Sequence, residues 1–382
     1  MPGCVKPLFL AAGIAWTGFA APLAQADASP RPFPPITVDL IYPPLKPQST
    51  ADEALASGRV QTAQYAATAP ARKPWRIAFL FPHLKDPYWL GCDYGVISEA
   101  RRLGLNVDIL VANGYDDLVG QLHQMEEAIA ANYDAIVISP ISLTADNAAI
   151  AKARSRGIPV FELANDSTSD DLNTKITTSL TSMGSDATRW LINDAQKHGL
   201  KSVNIALLPG PADAGWVKGE VEGTRAEAAR APVKVNIVAI KYGDSDRIVQ
   251  SQLAAQLLAE QGQSLNYIVG CTGCAPSAIL PLKTAGLAGK IKIVAYDLTR
   301  EIANAIRKGD IAAAADTKGV SQARLTTNAV VSLLEARERN IPHTILVKLG
   351  LLTQANFNTY DFGNSIAPEG FIPILNYAPA ER

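Results

Sequence analysis

Cysteine is scarce in this chain: Cys4, Cys92, Cys271 and Cys274 are the whole supply among 382 residues. That is too few for a disulfide scaffold, so the fold must hold itself by packing. Histidine is equally sparse. His83, His123, His198 and His343 show no His-Glu-x-x-His spacing and no second ligand nearby, which argues against a zinc site. Neither charge sign dominates, with 35 Lys+Arg against 36 Asp+Glu. A chain without a basic field has little to release counterions from a phosphate backbone, so a nucleic-acid partner is not expected. Missing too are a Gly-x-Ser-x-Gly elbow and a dinucleotide Gly-x-Gly-x-x-Gly, and Gly286-Leu287-Ala288-Gly289-Lys290-Ile291 has neither the gap nor the Ser/Thr of a phosphate loop. With no nucleophile–base pair, the sequence points away from an enzyme and implies no cofactor and no metal. After residue 26, no run is apolar enough to span a bilayer.

What is present is apolar bulk, 48% of the residues, enough for a large core and about two domains at roughly 150 residues each. Residues 1–26 read as a cleaved export signal: Lys6, an apolar run from Leu8 to about Leu23, then Ala24-Gln25-Ala26 and the polar Asp27. An uncleaved anchor is the alternative that the Ala-x-Ala end disfavours. Residues 27–74 are crowded with proline around one alternating stretch, Ile36 to Tyr42, and read as an arm with at most an edge strand. Such an arm is either draped on the domain or docks a partner protein.

From Trp75 onward one unit repeats. Apolar β-branched runs (Arg76–Phe81, Val107–Val111, Ala135–Ser139, Pro159–Glu162) alternate with helix-period stretches; Leu118, Leu122, Met125 and Ile129 share one face of a 3.6-residue period. The alternation restarts after a polar break, with strands predicted at 203–208, 235–240, 267–269 and 291–295 and a helix over 184–198. The expected class is α/β: two Rossmann-like lobes with parallel sheets, joined by a hinge the chain crosses several times. The lobes are expected at 75–182 plus 317–348 and at 183–316 plus 349–382.

Open parallel sheets bind ligands beyond the carboxyl ends of their strands, and two facing lobes enclose a small molecule between those ends. The loops after strands therefore hold the candidates. Pro87 fits N1 of a helix with Asp86 as N-cap, aiming Tyr88 and Trp89 into the cleft. The bland alternative packs one of these rings under the helix start. Other strand ends supply Tyr115, Asn165, Trp216, Lys218, Thr272, Asp297 and Asp316. Asp213 and Asp316 are equally readable as helix caps. Cys271-x-x-Cys274 follows a late strand instead of opening a first helix, which favours a passive disulfide or two thiols over a redox pair.

With Phe81-Pro82-His83-Leu84-Lys85-Asp86-Pro87-Tyr88-Trp89, Asp93-Tyr94-Gly95, Gly114-Tyr115, Leu208-Pro209-Gly210-Pro211, Ala214-Gly215, Val221-Glu222-Gly223 and Pro368-Glu369-Gly370-Phe371, the sequence resembles the type I periplasmic binding proteins. More narrowly it is similar to their TorT-like branch, which senses trimethylamine N-oxide with a membrane histidine kinase. The resemblance spans about residues 75–375, and no helix-turn-helix headpiece precedes it. It implies a periplasmic receptor that closes on its ligand, with an aromatic cage from Tyr88, Trp89 and Tyr115 around a positively charged, methylated nitrogen. Two departures weaken that cage. Ser179-Leu180 stands where an aromatic is expected before the first crossover, and Asp297 stands where the branch can place a ring. Asp297 instead matches the carboxylate that sugar-binding relatives keep for hydroxyls, so a sugar receptor serving an ABC permease is the second expectation. Trp216 is a candidate to restore a ring from the second lobe.

Overall fold

A computed structural model describes residues 31–337 and 340–380; the export signal read at 1–26 lies outside them. The proline-rich segment is not a loose arm. It folds as β1 (Ile36–Tyr42), α1 (Ala51–Ser57) and β2 (Arg59–Tyr65). Thr50 caps α1 in a capping box with Glu53. β1 pairs antiparallel with β2 and with a late strand, so this segment extends the first sheet instead of draping over it. Val38 and Ile41 are fully buried, and burying them supplies the reason.

The repeating unit then runs β3 (Arg76–Phe81), α2 (Pro87–Leu103), β4 (Asn106–Val111), α3 (Leu118–Ala130), β5 (Ala135–Ile138), α4 (Asn147–Ser155), β6 (Val160–Leu163) and β7 (Thr174–Thr177). β5, β6 and β7 are buried on both faces, as parallel strands sandwiched between helices must be. α5 (Leu180–Lys197) leads into the second lobe: β8 (Ser202–Gly210), α6 (Gly215–Arg230), β9 (Lys234–Tyr242), α7 (Arg247–Gln261), β10 (Tyr267–Gly270), the short α8 (Cys274–Ser277) and α9 (Ile279–Thr284), β11 (Lys292–Ala295), α10 (Arg300–Lys308) and β12 (Ala313–Asp316). α5 starts four residues before the expected 184, because the Ser179 hydroxyl accepts from the Ser182 N–H and caps it.

α11 (Gly319–Leu334) returns to pack on α2, and β13 (Thr344–Val347) enters the first sheet between β7 and β1. β14 (Gly350–Thr353) pairs antiparallel with β12 in the second sheet. β15 (Asn376–Tyr377) pairs antiparallel with β4 in the first. The tail 349–382, expected wholly in the second lobe, thus ends on the first. Two backbone residues suffice for that return, too few to show as a pattern. The nine-stranded order is β15-β4-β3-β5-β6-β7-β13-β1-β2 and the six-stranded order β14-β12-β11-β10-β8-β9. Apolar cores lie on both faces of each sheet. Among the described residues no helix is long and apolar enough to cross a membrane.

Two packing details position the cleft. α5 and α6 touch backbone to backbone, since a Cβ at Gly223 would overlap the Thr181 carbonyl and one at Gly184 the Glu220 carbonyl. At the crossing from β7 to α5, α1 stitches the lobes. The Ala51 N–H donates to Asp166 at 2.7 Å, while the Asp52 carboxylate accepts from the Ser179 hydroxyl, the Thr181 N–H and the Thr181 hydroxyl. Asp166 in turn accepts from the buried Lys175 ammonium at 2.9 Å, a charge that is tolerable there only because it is paired.

Candidate ligand-binding site

The carboxyl ends of both sheets face a cavity between the lobes. Its volume is about 50 Å3 open to the centres of water-sized spheres. A single water needs roughly 10–15 Å3 on that measure, so the space suits a compact solute of a few heavy atoms. The first lobe supplies His83, Asp86, Tyr88, Trp89, Tyr115 and Asn165; the second supplies Trp216, Glu220, Ser245, Thr272 and Asp297. Thr178, Leu180, Met183, Thr317 and Gln322 close the hinge side.

The turn after β3 forms as its sequence dictates. Asp86 caps α2 by accepting the Tyr88 N–H at 2.7 Å, with Pro87 at N1. That cap throws Tyr88 and Trp89 to the cavity, their rings 5.3 Å apart and edge to face. Trp89 is only 2% exposed and also packs on Phe81 at 5.0 Å, so the bland and the functional expectations both hold for it. Tyr115 lies 5.2 Å from His83 and 5.6 Å from Trp216, linking rings across the lobes. The side-chain amide of Asn165 donates to the Tyr115 hydroxyl at 3.1 Å and to the Pro140 carbonyl at 2.9 Å, fixing the ring. Trp216 reaches the site because Gly210 (φ 111°) leaves room: a Cβ there would lie 2.5 Å from the indole Cη2.

The ionisable lining is acidic: Asp86, Glu220 and Asp297 line the cavity and no Lys or Arg does. Burial, with Asp316 nearby, pushes Asp297 up to about 8. It nonetheless accepts the N–H groups of Leu298 and Thr317 and the Thr317 hydroxyl. Burial and then Asp297 push Glu220 well above the usual carboxylate range. His83, desolvated and near Lys85, is lowered to about 4 and stays a neutral ring at pH 7. Several polar atoms here are buried without a partner: both His83 ring nitrogens, Trp216 Nε1, Glu220 Oε2 and Gln322 Oε1. Buried polar atoms are seldom left unpaired, and these surround the space a solute would fill.

Eight of the expected residues meet here: Asp86, Tyr88, Trp89, Tyr115, Asn165, Trp216, Thr272 and Asp297. Two do not. Lys218 is exposed on α6, because a helix that turns Trp216 and Glu220 (i, i+4) inward turns the residue between them out. Asp316 is buried behind the cavity, where it accepts from the Lys318 N–H, the Tyr360 hydroxyl and the Ser365 hydroxyl and anchors the C-terminal return. Asp213 caps nothing: α6 starts after Ala214 with no side-chain cap. Cys271 and Cys274 are joined in a disulfide around Thr272, and Cys92 is a buried free thiol. Glu220, Gln322, Met183 and Ser245 went unread in the sequence. Glu220 alone carried a signal, four residues after Trp216. Leu180 fills the place where an aromatic was expected before the crossover.

Comparison with known proteins agrees with this architecture. Residues 77–338 match the family model described as a periplasmic binding protein domain. The chain is 30% identical over 318 residues to the periplasmic protein TorT of Escherichia coli (strain K12), covering 83% of this chain and 89% of that one. Among solved structures it is similar to an ABC transporter solute-binding protein from Bradyrhizobium sp. BTAi1 with bound Bis-Tris (32% identity, TM-score 0.74, 90% of this chain and 98% of that one). It is also similar to TorT in complex with the TorS sensor domain in the presence of TMAO (25% identity, TM-score 0.69, 79% and 99%). The family model and the Bradyrhizobium relative are both described as binding proteins. A two-lobed fold with its cavity at the strand ends, matched over most of its length, places the chain in the type I periplasmic binding protein superfamily.

Proposed function

We propose that this protein is a periplasmic receptor that closes on a small solute with a nitrogen head, trimethylamine N-oxide or a related compound, and signals to a membrane sensor histidine kinase. The observation that carries the reading is the cavity itself, where rings from both lobes, Tyr88, Trp89, Tyr115 and Trp216, converge on a space of about 50 Å3. Aromatic faces attract charge spread over methyl groups, and an enclosed site lets ligand contacts on both lobes shift an open–closed equilibrium. The likeness to TorT, known in complex with a sensor domain, supports the partner. Export to the periplasm follows the family and the signal read at residues 1–26.

Calorimetric titration with trimethylamine N-oxide, betaine, choline and ribose, paired with X-ray scattering, tests it. A nitrogen-headed solute should bind and compact the protein; ribose alone binding would overturn the reading. That second outcome favours a sugar receptor delivering to an ABC permease, supported by Asp297 in the cavity and by the transporter assignment of the Bradyrhizobium relative.

A further inference from the structure

Within that reading, the cavity chemistry narrows the solute. We infer that the site selects a protonated amine that keeps an N–H, with Glu220 as its counter-charge. The inference rests on the nitrogen-head reading and goes beyond it.

Three features carry it. First, the lining holds three carboxyl groups, Asp86, Glu220 and Asp297, and no Lys or Arg, so no resident cation repels a cationic solute or takes the place of one. Second, the three acids are not equivalent. Asp86 is occupied by the Tyr88 N–H and the Thr272 hydroxyl, and Asp297 by three donors. Glu220 is 1% exposed, and among the described residues its side-chain Oε2 has no hydrogen-bond partner. Third, Gln322 Oε1 is a further buried acceptor without a donor. A ligand that satisfies these two oxygens must bring a donor to this side of the cavity, while the Trp216 indole N–H is left for an acceptor elsewhere on the solute. A quaternary head brings none at nitrogen; an ammonium N–H brings one, pointed by charge at the carboxylate.

The fold holds Glu220 in place for this task. It lies between Gly219 and Gly223 on α6, where the contact with α5 is closest, and one turn beyond Trp216. The indole and the carboxylate therefore present an apolar face and an acceptor to one side of the same solute. Burial and then Asp297 favour the neutral form of Glu220, and a cation set against it favours the carboxylate.

The test compares N,N-dimethylethanolamine, protonated at neutral pH, with choline, which differs by one methyl in place of the N–H. Trimethylamine N-oxide and ribose complete the panel, titrated calorimetrically into the purified protein. Binding of N,N-dimethylethanolamine at least tenfold tighter than choline and the N-oxide is expected, with Glu220→Gln removing that preference. Equal or tighter binding of choline or the N-oxide overturns the inference and leaves the receptor reading intact. Ribose binding alone overturns both, and no binding by any of the four overturns the inference. Should Glu220→Gln fail to fold, as judged by circular dichroism, the wild-type comparison of the two amines decides alone.

Discussion

The Thr272 hydroxyl donates to the Asp86 carboxylate across the cleft, joining the loop after β10 to the cap of α2. It is a direct hydrogen bond between the lobes at the cavity wall, and a disulfide brackets its donor. Closure therefore has a built-in contact besides those a ligand brings.

Thr272→Val keeps the shape and removes the donor. Losing a hydrogen bond to a charged group costs about 1.5–3 kcal/mol, so ligand affinity should fall roughly tenfold to hundredfold. Scattering on the free variant should show a larger radius of gyration than wild type. An unchanged radius with unchanged affinity would mean the contact plays no part in closure.

The two tryptophans should separate binding from stability. Trp89 sits in the core of the first lobe as well as at the cavity, so Trp89→Ala should cost about 3–5 kcal/mol of stability along with binding. Trp216 is half-buried with its indole N–H unpartnered. Trp216→Ala should weaken binding at least tenfold while moving the melting temperature much less than Trp89→Ala does. Thermal melts beside titrations of both variants decide this.

Asp297 gives the free protein a pH signature. Its carboxyl, held up at about 8 in the fold against an ordinary 3.8, keeps its proton on folding across that interval. The folded state then binds more protons than the unfolded, so this group's contribution falls as pH rises from about 4 to about 8. Glu162, raised to about 8 by burial, acts with the same sign. His83 and His343, lowered to about 4 by burial, act oppositely only below about 6.5. Asp297→Asn should thus flatten the loss of stability between pH 6.5 and 8. Melting curves for variant and wild type that stay parallel over that range would remove Asp297 as the source.

Asp52→Ala tests the arm. It strips acceptors from the Ser179 and Thr181 hydroxyls and from an N–H in the first turn of α5. Losing such a cap costs about 1 kcal/mol, a drop of roughly 2–4 °C in melting temperature for a domain of this size. No change would show the α1 contacts to be incidental.

Sequence alone carried the alternation of strands and helices, the Asp86-Pro87 cap and eight of the residues that line the cavity, because each follows from local chemistry: period, capping and strand ends. It misread features set by tertiary choice. The one local sign of which face of α6 turns inward is the i, i+4 spacing of Trp216 and Glu220, and with that sign unread Lys218 was expected in the site and Glu220 was not. Asp316 follows a strand like Asp297, yet Tyr360 and Ser365, more than forty residues on, claim it. The arm misled for a similar reason. Proline marks where strands end, but only the free edge of β13 makes a partner for β1.

That pairing has a reach beyond stability. The residues that stitch the crossing from β7 to α5 sit between β1 and β2, and β2 forms the outermost rim of the nine-stranded sheet. The stitch thus ties the crossing between the lobes to that rim. The hinge crossing beside the cavity and the outermost strand of the first sheet are thereby joined through one short stretch of chain, α1 and its flanks.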